Sequence, residues 1–468
     1  MSDLDLASLE PSADELRRDF DVATRLVLEH VAKVGEQPSC GDTTTDLRAR
    51  RGEPMPEGPS EVEPLLRSFF HDLVPRSLTT NGPGYLAYIP GGGIHTAALA
   101  DLAANVTNRF TGARFAAPAL VELEADALDW LRQMMGFPET AGGIFTTGGS
   151  SATFNAIVCA REQKLGADIR RGVLYTSTQA HHSVIKSARL AGIHPDRVRA
   201  IDVNRDFQMV GTLLVQAIEH DRKNGLAPFM VVSSAGTTNT GAVDPLDGIQ
   251  RTAEREGLWH HVDGAYGAFF HGVPEMQKWL PGLPRVDSIT LDPHKGLFLP
   301  YGTGALLVKD RRALREANGS EASYLPDALS EELYDPSQVG PDLSRGFPGF
   351  RVWLTLKVFG MEKLRAAIAE KRALAVDAAK RIAALPGVEM TAPPQLSLFA
   401  FHLRGASLRE ENAKTRALLD RVLAKKRVFL SPCQIGERFL VRVCVLSFRT
   451  RAAHVDACVE DIAEALSS

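Results

Sequence analysis

Lys295 is the first residue whose position suggests chemistry. It lies in the stretch DPHKG, between two short apolar runs, VDSITL and GALLV. This position is unusual, because lysine is seldom buried unless its charge is paired or its amine has a use. One such use is a covalent bond to an aldehyde. The alternative is a surface lysine whose stem packs on apolar neighbours.

Other polar residues also follow apolar runs. Asp263 follows LWHHV, and it could pair with a positively charged ring or cap the next helix. His181 comes shortly after VLYTS and could stack on a flat ligand or lie at the surface. The residues GGSS at 148–151 open a predicted helix. Free N–H groups at a helix start bind phosphate well, although a tight turn with a serine cap has the same composition.

These candidates come from one region in which strands and helices alternate. Short apolar runs between about 142 and 310 predict strands, at 173–177, 198–203, 229–234, 258–262, 286–291 and 304–308. Such alternation predicts a mostly parallel sheet covered by helices on both faces. Ligands bind beyond the carboxyl ends of such strands, so the candidates should meet at one edge. The helix before LWHHV is predicted to have Asp244 as N-cap and to end at Gly257.

Two further regions flank this sheet. Residues 13–34 predict an amphipathic helix whose apolar stripe must pack on a distant part of the chain or on a second subunit. After about 345 the pattern predicts a smaller α+β domain, in which RFLVRVCVL is a half-buried strand. The predicted division is an N-terminal helical arm over 1–80, a large α/β domain over 81–345 and a small C-terminal domain over 346–468.

Composition excludes several classes of protein. The 468 residues are 44% hydrophobic and 24% charged, with a net charge of −4, which is ordinary for a globular chain of two or three domains. There is no basic surplus for nucleic acid or for a membrane surface, and no apolar run long enough to cross a bilayer. Five scattered cysteines indicate neither a disulfide framework nor a zinc site, and we expect a cytoplasmic protein without a metal.

The candidates together fit one ligand. A lysine amine can hold an aldehyde, an aspartate can keep a pyridine ring protonated, and a histidine can cover the face of that ring. A glycine- and serine-rich helix start can hold a phosphate. These are the tasks of a protein that binds pyridoxal 5'-phosphate (PLP).

The sequence resembles the group II PLP-dependent amino-acid decarboxylases, which include the aromatic-L-amino-acid and glutamate enzymes. The resemblance covers about 65–455, through GYLAYIPGG, APALVELEADALDWLRQMMGFP, TTGGSSAT, QAHHSV, HVDGAYG, DPHKG and SFRT. It implies the α/β architecture of fold type I PLP enzymes: a large domain with a mostly parallel seven-stranded sheet, a small α+β domain and an N-terminal arm. The arm would be swapped in a homodimer with active sites at the subunit interface.

The resemblance also implies residue roles. Lys295 would carry the cofactor, Asp263 would pair with its ring nitrogen, and His181 and Ala265 would cover the two ring faces. The phosphate would be held by Gly148, Gly149, Ser150 and His294. Thr237 and His261 would line the site near the ring. The substrate would meet Tyr88, Pro90, Tyr301 and Arg449.

A mobile loop is expected over about 320–345, and the resemblance implies that a tyrosine in it protonates the substrate carbon. Tyr334 is the predicted donor and Tyr324 the reserve. The chain departs from the family at Gly296, where aromatic decarboxylases usually have Trp, and at Asp292, where Asn is common. Gly296 and Gly91 are expected to leave unfilled volume in the substrate pocket.

The implied activity is decarboxylation of an L-amino acid to an amine and carbon dioxide. A transaminase, lyase or aldehyde synthase stays open, because these enzymes share the same cofactor chemistry. A non-catalytic protein with this fold is the other alternative. His181 and the loop tyrosine favour decarboxylation, and the intact Lys295 and Asp263 argue against a non-catalytic protein.

Overall fold

A seven-stranded sheet lies at the centre of the molecule. The structure is a computed structural model that describes residues 9–43, 54–319 and 333–467. The strands of this sheet are β1 (Gly142–Thr146), β2 (Gly172–Ser177), β3 (Val198–Ile201), β4 (Ala227–Ser234), β5 (Trp259–Asp263), β6 (Ser288–Leu291) and β7 (Gly304–Val308). Their order is β1-β7-β6-β5-β4-β2-β3. Strands β6, β5, β4, β2 and β3 are parallel to one another, and β7 is antiparallel to both of its neighbours. The predicted mostly parallel sheet is therefore confirmed.

Both faces of this sheet are covered, because its strands are apolar on both sides. In β4, Met230 and Val232 pack in one apolar cluster and Val231 packs in another, as the alternation of side chains along a strand requires. The helices are α1 (Ala13–Lys33), α2 (Val62–Ser68), α3 (His95–Thr107), α4 (Pro118–Met134), α5 (Gly149–Leu165), α6 (Ser183–Leu190), α7 (Gly211–Lys223), α8 (Leu246–Glu256), α9 (Pro293–Gly296), α10 (Arg312–Asn318), α11 (Pro336–Val339), α12 (Pro348–Ala383), α13 (Leu408–Ala424) and α14 (Ala452–Ser467). Across the described ranges, no helix has the length and apolar character that a membrane span needs.

A second, antiparallel sheet lies in the C-terminal part. It contains β8 (Val388–Met390), β9 (Leu398–Leu403), β10 (Ser431–Ile435) and β11 (Arg438–Cys444), in the order β10-β11-β9-β8. The prediction that β11 is half-buried is wrong, since only Arg438 in it is exposed. Helix α13 packs on this strand, and Arg442 lies beneath Tyr88. The long helix α12 contacts strands of both sheets. The predicted domain boundaries at 80/81 and 345/346 stay predictions.

Helix α1 begins at a capping box, in which the N–H of Ser12 donates to the Glu15 carboxylate and the N–H of Glu15 donates to the Ser12 hydroxyl. Only Val22 and Leu26 of this helix are buried. The predicted apolar stripe is different: its Leu16, Phe20, Val27 and Val31 are 39–47% exposed, whereas Val34, just after the helix, is buried. The described part of one protomer therefore leaves most of this stripe uncovered.

Helix α8 ends at Gly257 in the left-handed conformation, as predicted, but Asp244 is not its N-cap. The Asp244 carboxylate instead accepts hydrogen bonds of 2.7 Å from the N–H groups of Met209 and Ser234. It thereby satisfies two buried backbone groups, one at the end of β4 and one just before α7, which explains why a carboxylate is buried there.

Candidate active site

A cavity of about 300 Å³ lies at the carboxyl ends of the central strands. It is bounded by the residues that follow β1, β2, β4, β5 and β6 and by the N-terminus of α5. The cavity brings together many of the predicted site residues: Gly148, Gly149, Ser150, His181, Asp263, Ala265, His294 and Lys295. The prediction that these residues meet at one edge of the sheet is therefore confirmed.

Lys295 enters the cavity from the short helix α9, which follows the fully buried strand β6. Its Nζ lies 2.9 Å from Oδ2 of Asp292, and 22% of its side chain is exposed. Burial opposes a charge on this amine, but the ion pair with Asp292 outweighs burial and raises the lysine pKa. The structure thus holds one charged lysine against one carboxylate at the cavity wall.

Asp263 is the last residue of β5, and its side chain reaches the cavity. Its Oδ1 accepts a hydrogen bond of 3.2 Å from the N–H of Ala265. Among the described residues, no basic side chain forms a salt bridge with this carboxylate. Asp263 is therefore available to pair with a positive group on a bound ligand.

His181 lies between β2 and α6. Its Nδ1 accepts a hydrogen bond of 3.3 Å from the N–H of Ser183 and lies 2.7 Å from the Ser183 hydroxyl. Burial lowers the pKa of the imidazole, although the nearby Asp263 acts in the opposite direction. A neutral, flat ring fixed by Ser183 suits stacking on an aromatic ligand.

The start of α5 forms a cradle with little room for side chains. Gly148 has φ +153°, and a methyl carbon there would lie 3.4 Å from His294. At Gly149 a methyl carbon would lie 3.1 Å from the Ala265 methyl group and 3.2 Å from Asp292 Oδ2. The first N–H groups of a helix have no intrahelical partners, so this turn offers backbone donors to an anion. The cradle, Lys295 and Asp263 together fit the phosphate, aldehyde and ring nitrogen of PLP.

Two predicted residues lie behind the cavity wall. The Thr237 hydroxyl lies 2.8 Å from that of Thr240, while Thr238 lines the cavity. His261 is fully buried in β5, with its ring nitrogens 2.8 Å from the Ser288 hydroxyl and 3.1 Å from the Thr290 hydroxyl. Their predicted cofactor contacts stay predictions.

The buried histidines of β5 make stability sensitive to acid. Burial lowers the pKa of His260 to about 3 and that of His261 to about 4. Because an unfolded histidine titrates near pH 6.5, the unfolded state binds more protons than the folded state below that pH. The contribution of these histidines to the free energy of unfolding is therefore fully present above pH 6.5. It is lost as the pH drops towards 4, by roughly 2–3 kcal/mol per histidine at pH 4.5.

Urea denaturation at pH 7 and pH 4.5 tests this prediction. Between pH 7 and pH 4.5, we expect the free energy of unfolding of His260→Gln to fall by roughly 2–3 kcal/mol less than that of the wild type. His194→Gln, at a site whose side chain is 72% exposed, is the control and should behave as the wild type. Equal acid losses in all three proteins would contradict the prediction.

None of the four predicted substrate residues lines this cavity, and Tyr301 lines a separate one. Tyr88 has φ +49° and is 49% exposed, and Pro90 is buried. The Tyr301 hydroxyl accepts a hydrogen bond of 3.1 Å from the N–H of Gly91. The expectation of unfilled volume is wrong. A methyl carbon would lie 2.9 Å from the Tyr301 ring at Gly91 and 2.5 Å from Phe269 at Gly296.

Arg449 donates hydrogen bonds of 3.2 Å to the backbone carbonyls of Asn81 and Gly92. It therefore tethers the segment before α3, and its predicted substrate contact stays a prediction. Sequence reasoning missed Arg442, which is buried and donates to the Thr238 carbonyl at 2.5 Å and to the Ser431 hydroxyl at 3.1 Å. An arginine inside an apolar strand pattern was the available signal.

Tyr334 does not reach this cavity within one protomer. Its hydroxyl donates to Glu124 at 2.8 Å, and Arg345 pairs with the same carboxylate. Tyr334 lines a separate cavity of about 400 Å³ beside α4 and α10. Tyr324 lies outside the described residues. The catalytic role of either tyrosine stays a prediction, and the contacts of Tyr334 favour a structural role.

Comparisons with known proteins agree with the geometry. A family model described as "Pyridoxal-dependent decarboxylase conserved domain" matches residues 45–404. The aromatic-L-amino-acid decarboxylase of Bacillus atrophaeus is 31% identical, over 95% of this chain and 94% of the relative. The 4-hydroxyphenylacetaldehyde synthase of Rhodiola rosea is 30% identical, over 84% of this chain and 83% of the relative.

A solved structure is also similar over nearly the whole chain. The crystal structure of Oryza sativa TDC with PLP and tryptamine has a TM-score of 0.93 and 26% identity, and the match covers 98% of this chain and 99% of that one. The family match includes the whole central sheet and every predicted cofactor residue. The chain therefore belongs to the pyridoxal-dependent decarboxylase family and is a PLP-dependent amino-acid decarboxylase of fold type I.

Proposed function

We propose that the enzyme decarboxylates an aromatic L-amino acid and releases the corresponding amine, with PLP bound to Lys295. One observation carries the assignment of the site. A single cavity joins Lys295, the Asp263 carboxylate and the neutral His181 ring to a glycine cradle at the start of α5.

Each residue has a task in this proposal. Lys295 would hold the aldehyde carbon, and Asp263 would supply the fixed negative charge that keeps the ring nitrogen protonated. His181 and Ala265 would confine the ring between them. When bound, PLP supplies the electron sink that receives the pair left behind as carbon dioxide departs. The sheet fixes these side chains because Asp263 and Lys295 lie at or just beyond the ends of adjacent strands, β5 and β6.

Two observations support an aromatic substrate. Tyr88 and Tyr301, which the family resemblance assigns to the substrate pocket, are about half exposed, at 49% and 54%, although neither lines the cavity of Lys295 in one protomer. The relative from Bacillus atrophaeus is named for aromatic L-amino acids, and the rice structure contains tryptamine. We infer that the substrate side chain is flat and apolar rather than acidic.

Product analysis tests this proposal. Purified enzyme with PLP is incubated with each common L-amino acid, and carbon dioxide, amine, aldehyde and ammonia are measured. We expect equal amounts of carbon dioxide and amine, from aromatic amino acids first. Aldehyde and ammonia as the main products would instead assign the activity named for the Rhodiola rosea relative. Faster turnover of glutamate or aspartate than of aromatic amino acids would contradict the proposal of an aromatic substrate.

We further propose a cytoplasmic homodimer in which a second copy covers the apolar stripe of α1. The stripe supports this, because Leu16, Phe20, Val27 and Val31 are exposed in one protomer. Sedimentation is expected to give a dimer for the wild type and a larger monomer fraction for Phe20→Asp. Arg18→Asp, on the opposite face of the helix, is the matched control and should stay dimeric. A monomeric wild type would contradict the proposal.

The loop tyrosines give a separate prediction. Tyr334→Phe removes a partly buried hydrogen bond to Glu124, so we expect a loss of stability of about 1 kcal/mol with amine still the product. If a loop tyrosine returns the proton to the substrate carbon, Tyr324→Phe should instead shift the products towards aldehyde and ammonia. That shift in Tyr334→Phe would show that Tyr334 leaves Glu124 during turnover, as its predicted catalytic role requires.

A further inference from the structure

The Asp292 carboxylate lies between the reactive lysine and the glycine cradle. It is only 1% exposed, and its Oδ2 is 2.9 Å from Lys295 Nζ. Methyl carbons placed on Gly149 and Gly148 would lie 3.2 Å from its Oδ2 and 4.0 Å from its Oδ1. Asp292 therefore faces the position where the start of α5 would hold a phosphate.

One oxygen of this carboxylate has no protein partner. Among the described residues, nothing donates a hydrogen bond to Asp292 Oδ1, although that atom is buried. A buried polar atom without a partner is unfavourable, so the atom is expected to meet a group of a bound ligand. The position of Oδ1 beside Gly148 points to the phosphate as that group.

His294 does not neutralise Asp292 either. Its Nδ1 lies 2.8 Å from the Thr303 carbonyl, which only accepts, so Nδ1 carries the hydrogen. Burial lowers the pKa of this imidazole, which leaves Nε2 without a proton. Nε2 lies 3.5 Å from Asp292 Oδ2 and has no proton to give it, so among the described residues Lys295 is the group that balances this carboxylate.

The charges around the cavity lead to the same conclusion. The titratable groups that share this space with Asp292 are Lys295, His294, His181, Asp263 and the Tyr266 hydroxyl, which is bonded to Ser397. Burial favours the neutral form of both histidines, and Asp263 is a second anion. A phosphate beside an ionised Asp292 would place like charges together in a buried site. Among the described residues that line the cavity, Lys295 is the only amine that can balance Asp292, and it must lose a proton before its nitrogen can bond to the aldehyde of PLP.

We propose that Lys295 gives a proton to Asp292 when it binds PLP, and that Asp292 then holds the phosphate as a neutral carboxylic acid. An N–H bond of the ammonium group breaks and an O–H bond forms on the carboxylate, with no change in oxidation state. The same transfer produces the neutral amine that reacts with an aldehyde and a hydroxyl donor for the phosphate. The inference rests on the proposed function, because it takes Lys295 as the residue that binds PLP.

Infrared difference spectroscopy between PLP-loaded and PLP-free full-length enzyme tests the proton transfer. Loading the wild type should produce the C=O stretch of a protonated carboxyl group, and ¹³C-labelled aspartate should shift it. Asp263→Asn, which removes the other aspartate of the cavity, should keep the band, whereas Asp292→Asn should lose it. Absence of the band from the wild type, or its persistence in Asp292→Asn, would overturn the proposal.

Cofactor affinity gives a second readout that does not depend on turnover. The affinity for PLP relative to pyridoxal, which lacks the phosphate, measures what the phosphate contributes. Asp292→Ala removes the donor and should lower this ratio about tenfold or more, while Asp292→Asn can still donate and should change it by less than about threefold. A higher ratio in both variants would mean that Asp292 stays ionised and repels the phosphate. If that occurs while PLP is still found on Lys295, this inference fails and the proposed function stands.

Discussion

Replacement of Lys295 by alanine is expected to abolish decarboxylation and the visible absorbance of the covalently bound cofactor. Lys295 is the only lysine that lines the cavity among the described residues, so no other amine there can take its place. Without this amine, the cofactor would be held only by non-covalent contacts, and no lysine would be available to release the product from it. Turnover should therefore fall to the background of the assay.

The control for this variant is Lys309→Ala. Lys309 follows β7, and its Nζ donates to the Arg285 carbonyl at 3.2 Å, away from the cavity. Both variants should keep the circular dichroism spectrum of the wild type, and only Lys295→Ala should lose absorbance and turnover. If Lys295→Ala forms amine at a rate close to that of the wild type, another residue holds the cofactor.

Replacement of Asp263 by asparagine is expected to reduce kcat by on the order of a thousandfold or more, because fixed charges at a reacting centre contribute that much. Asparagine keeps the shape of the side chain but removes the negative charge that favours a protonated ring nitrogen. Some PLP should still bind, since Lys295 and the cradle at the start of α5 are unchanged.

Asp263→Glu is the matched variant, because it keeps the charge but moves it by one methylene group. We expect its kcat to lie between those of Asp263→Asn and the wild type. The readouts are kcat and the amount of bound PLP, measured on the same preparations. An Asp263→Asn enzyme with nearly normal kcat would show that another group protonates the ring.

Much of the site could be predicted because its signals are local. Asp263 and Lys295 are polar residues placed at or just after apolar strands, and parallel strands bring such ends to one edge of a sheet. The glycines at the start of α5 are likewise visible as a short motif. These features depend on a few neighbouring residues, which the sequence displays directly.

Other features depend on residues that are distant in the chain. The space beside Gly296 is filled by Phe269, and no local pattern indicates that contact. Tyr334 pairs with Glu124, which precedes it by 210 residues. The family resemblance suggested a catalytic role for this tyrosine, and no local pattern indicates the contact with Glu124. Arg442 is buried because Tyr88 and Thr238 pack over a strand whose own alternation suggested a half-exposed arginine.

The most direct test of this account is to reduce the PLP-loaded wild-type enzyme with borohydride and to map the modified peptide by mass spectrometry. Reduction fixes the cofactor to the amine that holds it, before any substrate is added. We expect one modified peptide, with the cofactor mass on Lys295 in the stretch DPHKG. A stoichiometric label on any other lysine, with Lys295 unmodified, would contradict it.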